Sequence, residues 1–383
     1  MIYLDNASTT RPYEQVISEV ANGMKEYFAN PSSIHKMGVK CEKRLNESRE
    51  TISKIINCNK NEVFFTSGGS EGNNLVLKGL LKPGNHLITT KFEHHSVLKV
   101  SEELERYGVK VTYLDVDNKG QISIEQLTNA ICKDTVLVSI MHVNNEVGSI
   151  QDIKNIAKVI RGCSKRAKFH VDAVQSFGKI AIDVKDMDVD FLTASGHKIH
   201  GPNGIGFCYI KSGLNLNSII KGGNQEKGLR AGTENIAGVI GMERAAEIVS
   251  SARENNFNYV LKLKEYMINR LTEIDGVYIN SPLEDIFSPY ILNVSFEGIR
   301  AEVLLHLLEE EYIYVATGSA CTSKLSVRSG SYVLKAMKLN NKYIEGAIRF
   351  SFSEDNKIEE IDKVIEVLKQ SLTFLRRIKR WEN

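Results

Sequence analysis

Apolar residues follow two patterns along this chain. Short, nearly continuous apolar runs at 62–66, 86–90, 109–114, 136–141, 169–171, 189–192 and 204–210 have the length and composition of buried strands. Between the first five runs, at 71–81, 96–107, 124–131 and 153–164, apolar residues recur every three or four positions, as on one face of a helix. Two more helices are predicted ahead of them, from about 14 to 28 and from 36 to 56, broken by Asn30-Pro31-Ser32-Ser33. A short strand-like Ile2-Tyr3-Leu4 opens the chain, and the polar stretch Asn6 to Thr10 reads as a turn. Apolar strands alternating with helices predict an α/β fold, a mostly parallel sheet covered by helices.

The pattern changes beyond a long helical stretch at 234–272. Strand-like runs at 290–296, 312–315 and 348–351, with a helix at 301–308, predict a smaller α+β unit. A boundary inside the long helix near residue 255 gives a large domain of 15–255 and a small domain built from 1–14 and 256–383. The last helix places Ile361, Val364, Leu368, Leu372 and Leu375 on one face. It opens acidic and closes with Arg376, Arg377, Lys379 and Arg380, an order that suits the helix dipole rather than RNA.

In sheets of this kind ligands bind beyond the carboxyl ends of the strands, and the chemically informative residues fall there. Thr193-Ala194-Ser195-Gly196-His197-Lys198-Ile199-His200-Gly201-Pro202 follows the run at 189–192 and sets Lys198 just past a strand end. A lysine is most often a solvated surface charge. Here Ser195 and His197 add a hydroxyl and an imidazole, and Gly196 lets backbone approach a ligand. That setting suits an amine forming a Schiff base with the aldehyde cofactor pyridoxal phosphate.

Other strand ends carry Glu93-His94-His95, Asn144-Asn145-Glu146 and Asp172-Ala173-Val174-Gln175. The Asp172 carboxylate suits a protonated pyridine nitrogen, a charge-assisted bond worth about 1.5–3 kcal/mol away from water; taken alone it reads as a helix N-cap. His94 can stack on a ring or carry protons, and alone it reads as a structural histidine. Ser67-Gly68-Gly69-Ser70, between a strand and a helix N-terminus, is either a connector or a phosphate cradle of backbone N–H groups. Its spacing matches neither nucleotide-binding glycine motif.

In the smaller unit, Ala316-Thr317-Gly318-Ser319-Ala320-Cys321-Thr322-Ser323 and the residues on to Ser331 lack apolar periodicity and predict a mobile loop. Cys321 would be exposed there as a nucleophile. With an ordinary thiol pKa of about 8.5, it would need a nearby cation or base. Arg349, in the run at 348–351, is a fork suited to a substrate carboxylate, or else one half of a surface ion pair.

Composition narrows the classes. A chain of 383 residues with 42% hydrophobic residues can bury two sizeable cores. A net charge of +2 gives no reason to expect nucleic acid or a membrane surface as partner. No uninterrupted apolar stretch approaches a membrane span, and Met1-Ile2-Tyr3-Leu4-Asp5 resembles neither a signal nor a transit peptide, so a cytoplasmic location is expected. The six cysteines, Cys41, Cys58, Cys132, Cys163, Cys208 and Cys321, lack paired or zinc-like spacing, which argues against disulfides or a metal site.

Taken together, these motifs resemble the cysteine desulfurases of the NifS/IscS type, class V members of the fold-type I pyridoxal-phosphate enzymes. The resemblance runs from Tyr3-Leu4-Asp5-Asn6-Ala7 to the Arg349 strand. It rests on Phe65-Thr66-Ser67-Gly68, Glu93-His94, His142-Val143-Asn144-Asn145-Glu146, His170-Val171-Asp172-Ala173-Val174-Gln175, Ser195-Gly196-His197-Lys198, Arg230-Ala231-Gly232-Thr233 and Gly318-Ser319-Ala320-Cys321-Thr322-Ser323. It implies a seven-stranded, mostly parallel sheet with a smaller C-terminal domain, and pyridoxal phosphate as cofactor. By the resemblance Lys198 carries the Schiff base, Asp172 pairs with the pyridine nitrogen, Gln175 meets the ring hydroxyl and His94 stacks on the ring. Gly69, Ser70, Ser195 and His197 hold the phosphate, and Asn145 contacts cofactor and substrate. Thr233 reaches the phosphate of a neighbouring subunit, which implies a homodimer with shared sites. Arg349 takes the substrate carboxylate, and Cys321 takes sulfur from L-cysteine as a persulfide, leaving L-alanine.

The family pattern Gly-Ala-Thr-Glu reads Gly68-Gly69-Ser70-Glu71 here, with the hydroxyl kept. Housekeeping members continue into a tail that helps dock the iron–sulfur scaffold protein, whereas this sequence stops at Trp381-Glu382-Asn383. The sulfur acceptor is therefore expected to be either an iron–sulfur scaffold or a tRNA-thiolating enzyme. Selenocysteine lyase and other class V aminotransferase-like activities are the competing enzymatic readings. A retired scaffold is the non-enzymatic one.

Overall fold

The computed structural model describes residues 1–318 and 330–381. In chain order it contains β1 (Ile2–Tyr3), α1 (Glu14–Glu26), α2 (Lys36–Ile55), β2 (Val63–Thr66), α3 (Gly69–Leu80), β3 (His86–Thr90), α4 (His95–Arg106), β4 (Lys110–Leu114), α5 (Ile124–Ala130), β5 (Thr135–Met141), α6 (Ile153–Cys163), β6 (Lys168–Asp172), β7 (Phe191–Ser195) and β8 (Gly206–Ile210). There follow α7 (Ile236–Leu271), β9 (Val277–Ile279), β10 (Ile291–Phe296), α8 (Ala301–Glu310), β11 (Ile313–Tyr314), β12 (Ala316–Thr317), α9 (Tyr332–Ala336), α10 (Asn341–Ile344), β13 (Ala347–Ser351) and α11 (Ile358–Trp381).

Strands β2 to β8 form one seven-stranded sheet in the order β2-β8-β7-β6-β5-β3-β4. All neighbours are parallel except that β8 runs against both β2 and β7. The fold is therefore α/β, as the alternating pattern predicts. Its consequence for function is directional: β2, β3, β5, β6 and β7 end on the same edge, so the segments that follow them converge. The strands β3, β5, β6, β7 and β8 are buried along nearly their whole length, as a parallel sheet covered on both faces requires. One apolar cluster joins Ile140, Phe169, Val171, Leu192 and Phe207 from the sheet to Ile52 of α2, Ile160 of α6 and Met242 of α7.

A second sheet, β12-β13-β10-β9, is antiparallel throughout and sets Arg349 between Asn293 and Ala316. Its cluster takes Leu292, Val294, Ile348 and Phe350 from the sheet, Leu304 from α8, Val364 and Leu368 from α11, and Leu4 from the start of the chain. Helix α7 serves both clusters: Val239, Met242 and Val249 join the first, and Val260, Leu263 and Met267 the second. Among the described residues no helix is long and apolar enough to cross a membrane.

Several boundaries differ from expectation. Helix α3 begins at Gly69, two residues before the predicted start, so Gly69 and Ser70 belong to its first turn rather than to the loop. The short β9 and the helices α9 and α10 carry too few periodic residues to be seen in sequence. The loop expected from Ala316 to Ser331 begins instead as a strand, Ala316 and Thr317 pairing as β12 with β13, and ends with Ser331 as the N-cap of α9; residues 319–329, Cys321 among them, lie outside the described residues.

Candidate active site

At the carboxyl edge of the large sheet lies a cavity of about 290 Å³. Ten sequence candidates line it: Gly69, Ser70, His94, Asn145, Asp172, Gln175, Ser195, His197, Lys198 and Arg349. Thr233 does not. It sits exposed between the short helical turn Gln225–Gly228 and α7. Cys321 lies outside the described residues.

Each side chain is placed by the strand or helix it terminates. Asp172 is the last residue of β6 and is nearly buried. Its Oδ2 accepts from Asn73 Nδ2 at 2.8 Å and its Oδ1 from the Val174 N–H at 3.0 Å, so the carboxylate is fixed from two sides. His94 is the N-cap of α4. Its Nδ1 accepts from the Ser96 N–H at 3.2 Å, which leaves the proton of the neutral ring on Nε2. Lys198 closes the helical turn Gly196–Lys198 that follows β7, and its Nζ donates to the carbonyls of Ala7 at 2.5 Å and Ser8 at 2.6 Å.

One end of the cavity is shaped for an anion. Helix α3 presents its N-terminus there, where the first N–H groups lack helical partners. Gly68 holds φ at +152°, and a Cβ on Gly69 would lie 2.4 Å from Val174 Cγ2. Ser70, Ser195 and His197 add side-chain donors nearby. Also on the lining, Arg349, 6% exposed, donates through Nη2 to Asp5 Oδ1 at 2.7 Å and Ser8 Oγ at 2.6 Å, and through Nη1 to the Asn145 carbonyl at 2.8 Å.

Several polar atoms of this lining are buried without a partner: Gln175 Oε1, Asn145 Oδ1, Asn73 Oδ1 and Arg349 Nε. Each such atom costs about 1–3 kcal/mol if nothing binds it. Their convergence on one cavity therefore points to a polar ligand. Burial holds His94 below the ordinary histidine pKa, with Asp172 opposing and Lys198 reinforcing the shift. Burial, then Lys198 and Lys179, take His197 down to about 4. Both rings are thus neutral near pH 7. Glu146, fully buried, is pushed by burial up to about 7 against a hydrogen bond from Ser331 and the charge of Arg349.

The cavity includes residues that sequence reasoning passed over. The stretch from Asn6 to Thr10, expected to be a turn, lies across the site. Ala7 N–H donates to Ser351 Oγ at 2.9 Å, Gln175 Nε2 donates to the Ala7 carbonyl at 2.8 Å, and Thr10 donates to the His197 carbonyl. Asn73 and Ser96 were also missed. Asn73 on α3 could have been found as a polar residue on an otherwise apolar helix face, four residues beyond Gly69.

The chain matches the aminotransferase class-V family over residues 2–364. It belongs to that family. Similar proteins include the cysteine desulfurase IscS of Clostridium botulinum strain Hall, 41% identical over 390 residues that cover 100% of this chain and 97% of the relative. The cysteine desulfurase IscS of Methanosarcina thermophila is 39% identical, covering 98% and 93%. Among solved structures, a NifS-like protein superposes with a TM-score of 0.92 at 36% identity, covering 97% of this chain and 99% of that one. SspA in complex with cysteine superposes at 0.81 and 34% identity, covering 92% and 99%. The chain is a member of the NifS/IscS branch. Against the family pattern, which has alanine in place of Gly69, Val174 here fills the space a Cβ would take.

Proposed function

We propose that this protein is a cysteine desulfurase that uses pyridoxal phosphate to take sulfur from L-cysteine, releasing L-alanine. The observation that carries this reading is the convergence of an amine, a doubly held carboxylate and a neutral imidazole, Lys198, Asp172 and His94, on one cavity with an anion cradle at its end. Full-length similarity to proteins named cysteine desulfurase supports it.

The residues present fit this cofactor. When bound, it would supply an aldehyde that condenses with amines and a ring that takes up electrons from the substrate Cα. Lys198 would hold the aldehyde, and once freed its Nζ would accept the Cα proton. Asp172 would accept from the pyridine N–H, and Asn73 keeps it from turning away. His94 would cover the ring face. Gln175, its Nε2 spent on Ala7, would accept the ring hydroxyl through the unpaired Oε1. The N-terminus of α3 with Gly69, Ser70, Ser195 and His197 would hold the phosphate. Asn145 and Arg349 would orient the substrate, Arg349 through the Nε that has no partner.

Cys321 would receive the substrate sulfur as a persulfide and pass it to an acceptor protein of iron–sulfur assembly or of tRNA thiolation. We assign the protein to the cytoplasm. It would act as a homodimer in which Thr233 of one copy completes the phosphate site of the other. The division of α7 between two apolar clusters supports a large domain of 15–255 and a small domain of 1–14 with 256–383.

The test is an absorbance spectrum of the cofactor-loaded protein before and after L-cysteine, with alanine and sulfide assayed from the same tube. The reading predicts a visible band that shifts, and equal alanine and sulfide under a thiol reductant. A band without alanine would keep the cofactor and discard the desulfurase.

A further inference from the structure

Lys198 borders two cavities. The second, of about 10 Å³, has room for one water, and Lys179, His200, Tyr290 and Glu354 share its walls with Lys198. Lys179 follows Gly178 in the turns after β6, and it is 8% exposed. Its Nζ stands 5.3 Å from the centre of the Tyr290 ring. Glu354, the carboxylate that acts on it, is shared: it accepts from the Tyr13 hydroxyl and lies 3.8 Å from His200 Nε2, while the Tyr13 and His200 rings stack 4.4 Å apart. Lys179 is thus a buried cation whose counter-charge is partly committed elsewhere.

A second cation beside an amine makes its protonated form costlier, so the amine gives up its proton more readily. The charged groups facing Lys179 are Glu354, which favours its ammonium, and Arg349, which opposes it. Tyr13, Tyr290 and His200 are the other titratable groups around it, and burial together with Glu354 raises both tyrosines, keeping them neutral. His197, adjacent to Lys198, feels the charges of both Lys198 and Lys179.

We propose that Lys179 is a positioning residue whose buried positive charge, on the wall of the second cavity that it shares with Lys198, makes the Lys198 amine less basic. This rests on the reading of Lys198 as the reactive amine, for which a share of free base near neutral pH is required. Burial takes Lys179 itself down to about 8, so the influence is strongest below that pH and fades above it.

The test reads Lys198 in the full-length apoprotein. Competitive acylation of amines from pH 6 to 10.5, followed by peptide mass spectrometry, gives the apparent pKa of Lys198 in the parent, Lys179→Met, Lys179→Gln and Lys179→Arg. The two neutral variants should shift it upward by about half a unit or more, and Lys179→Arg should hold the parental value. An unchanged Lys198 in a folded neutral variant overturns the proposal, as does an equal shift in Lys179→Arg, which would make the effect one of packing. Cofactor uptake by Lys198→Ala, measured separately, tests the reading of Lys198.

Discussion

The two ends of the large sheet both carry histidine among hydroxyl groups, and they treat it differently. At the amino end His86 has both ring nitrogens engaged, by Thr135 Oγ1 at 2.8 Å and Thr112 Oγ1 at 2.9 Å, with Cys132 Sγ 3.5 Å away. In the sheet interior His170 is likewise held by Ser139 and Thr193. At the carboxyl end Gln175, Asn145, Asn73 and Arg349 each keep a buried polar atom without a partner. Residue type does not separate these regions. Satisfaction does: one end is finished as it stands, and the other is complete only with a ligand.

The largest expected effect at the unfinished end comes from Lys198→Ala, which should lower alanine production by on the order of 10³-fold or more. Retention of parental turnover would remove Lys198 from the chemistry. Next, Asp172→Asn replaces a carboxylate by an amide and forfeits about 1.5–3 kcal/mol, so cofactor affinity or turnover should drop roughly 10- to 150-fold in an equilibrium titration and a rate assay. A smaller effect is expected at Gly69. Gly69→Ala drives a methyl into Val174 and should weaken cofactor binding severalfold, and Gly69→Ala with Val174→Ala should restore it. An additive loss in the double variant would contradict that packing.

At the finished end the readout changes from activity to stability. His86→Ala should cost about 1–3 kcal/mol in denaturant unfolding and leave turnover unchanged. Away from that end, His170 in the sheet interior and His142, just past β5 at the carboxyl edge, are buried and neutral, taken by burial down to about 3 and about 4. As pH falls from about 6.5, the unfolded chain binds protons that these rings refuse. Each then removes about 1.4 kcal/mol of stability per pH unit until its own folded pKa is reached. His170→Gln should flatten that slope by one proton; an unchanged slope between pH 6 and 4 would remove His170 as a cause.

Much of this was legible in the chain. Five of the seven strands announce themselves because each is buried along nearly its whole length, and the polar residues of the site stand immediately after strand ends, where parallel topology collects ligands. The direction of β8 was not legible, since an apolar run reads the same either way. The place of Asp5 to Ser8 at the site was not legible for a different reason. Nothing local marks them, and their partners Gln175, Lys198 and Arg349 lie 168 to 344 positions away. In sequence Arg349 reads as a fork for a substrate carboxylate or as one half of a surface ion pair. In the structure Asp5 and Ser8 already hold it, which leaves only its Nε unpartnered.

By the proposed function, the unpaired groups at the carboxyl edge would be completed by pyridoxal phosphate bound through Lys198. Loading the protein with the cofactor, reducing it with borohydride and mapping the peptides by mass tests this directly. The account predicts the reduced cofactor on the peptide containing Lys198 and nowhere else, and Lys198→Ala should carry none. Label on another lysine, or no label at saturating cofactor, would contradict it.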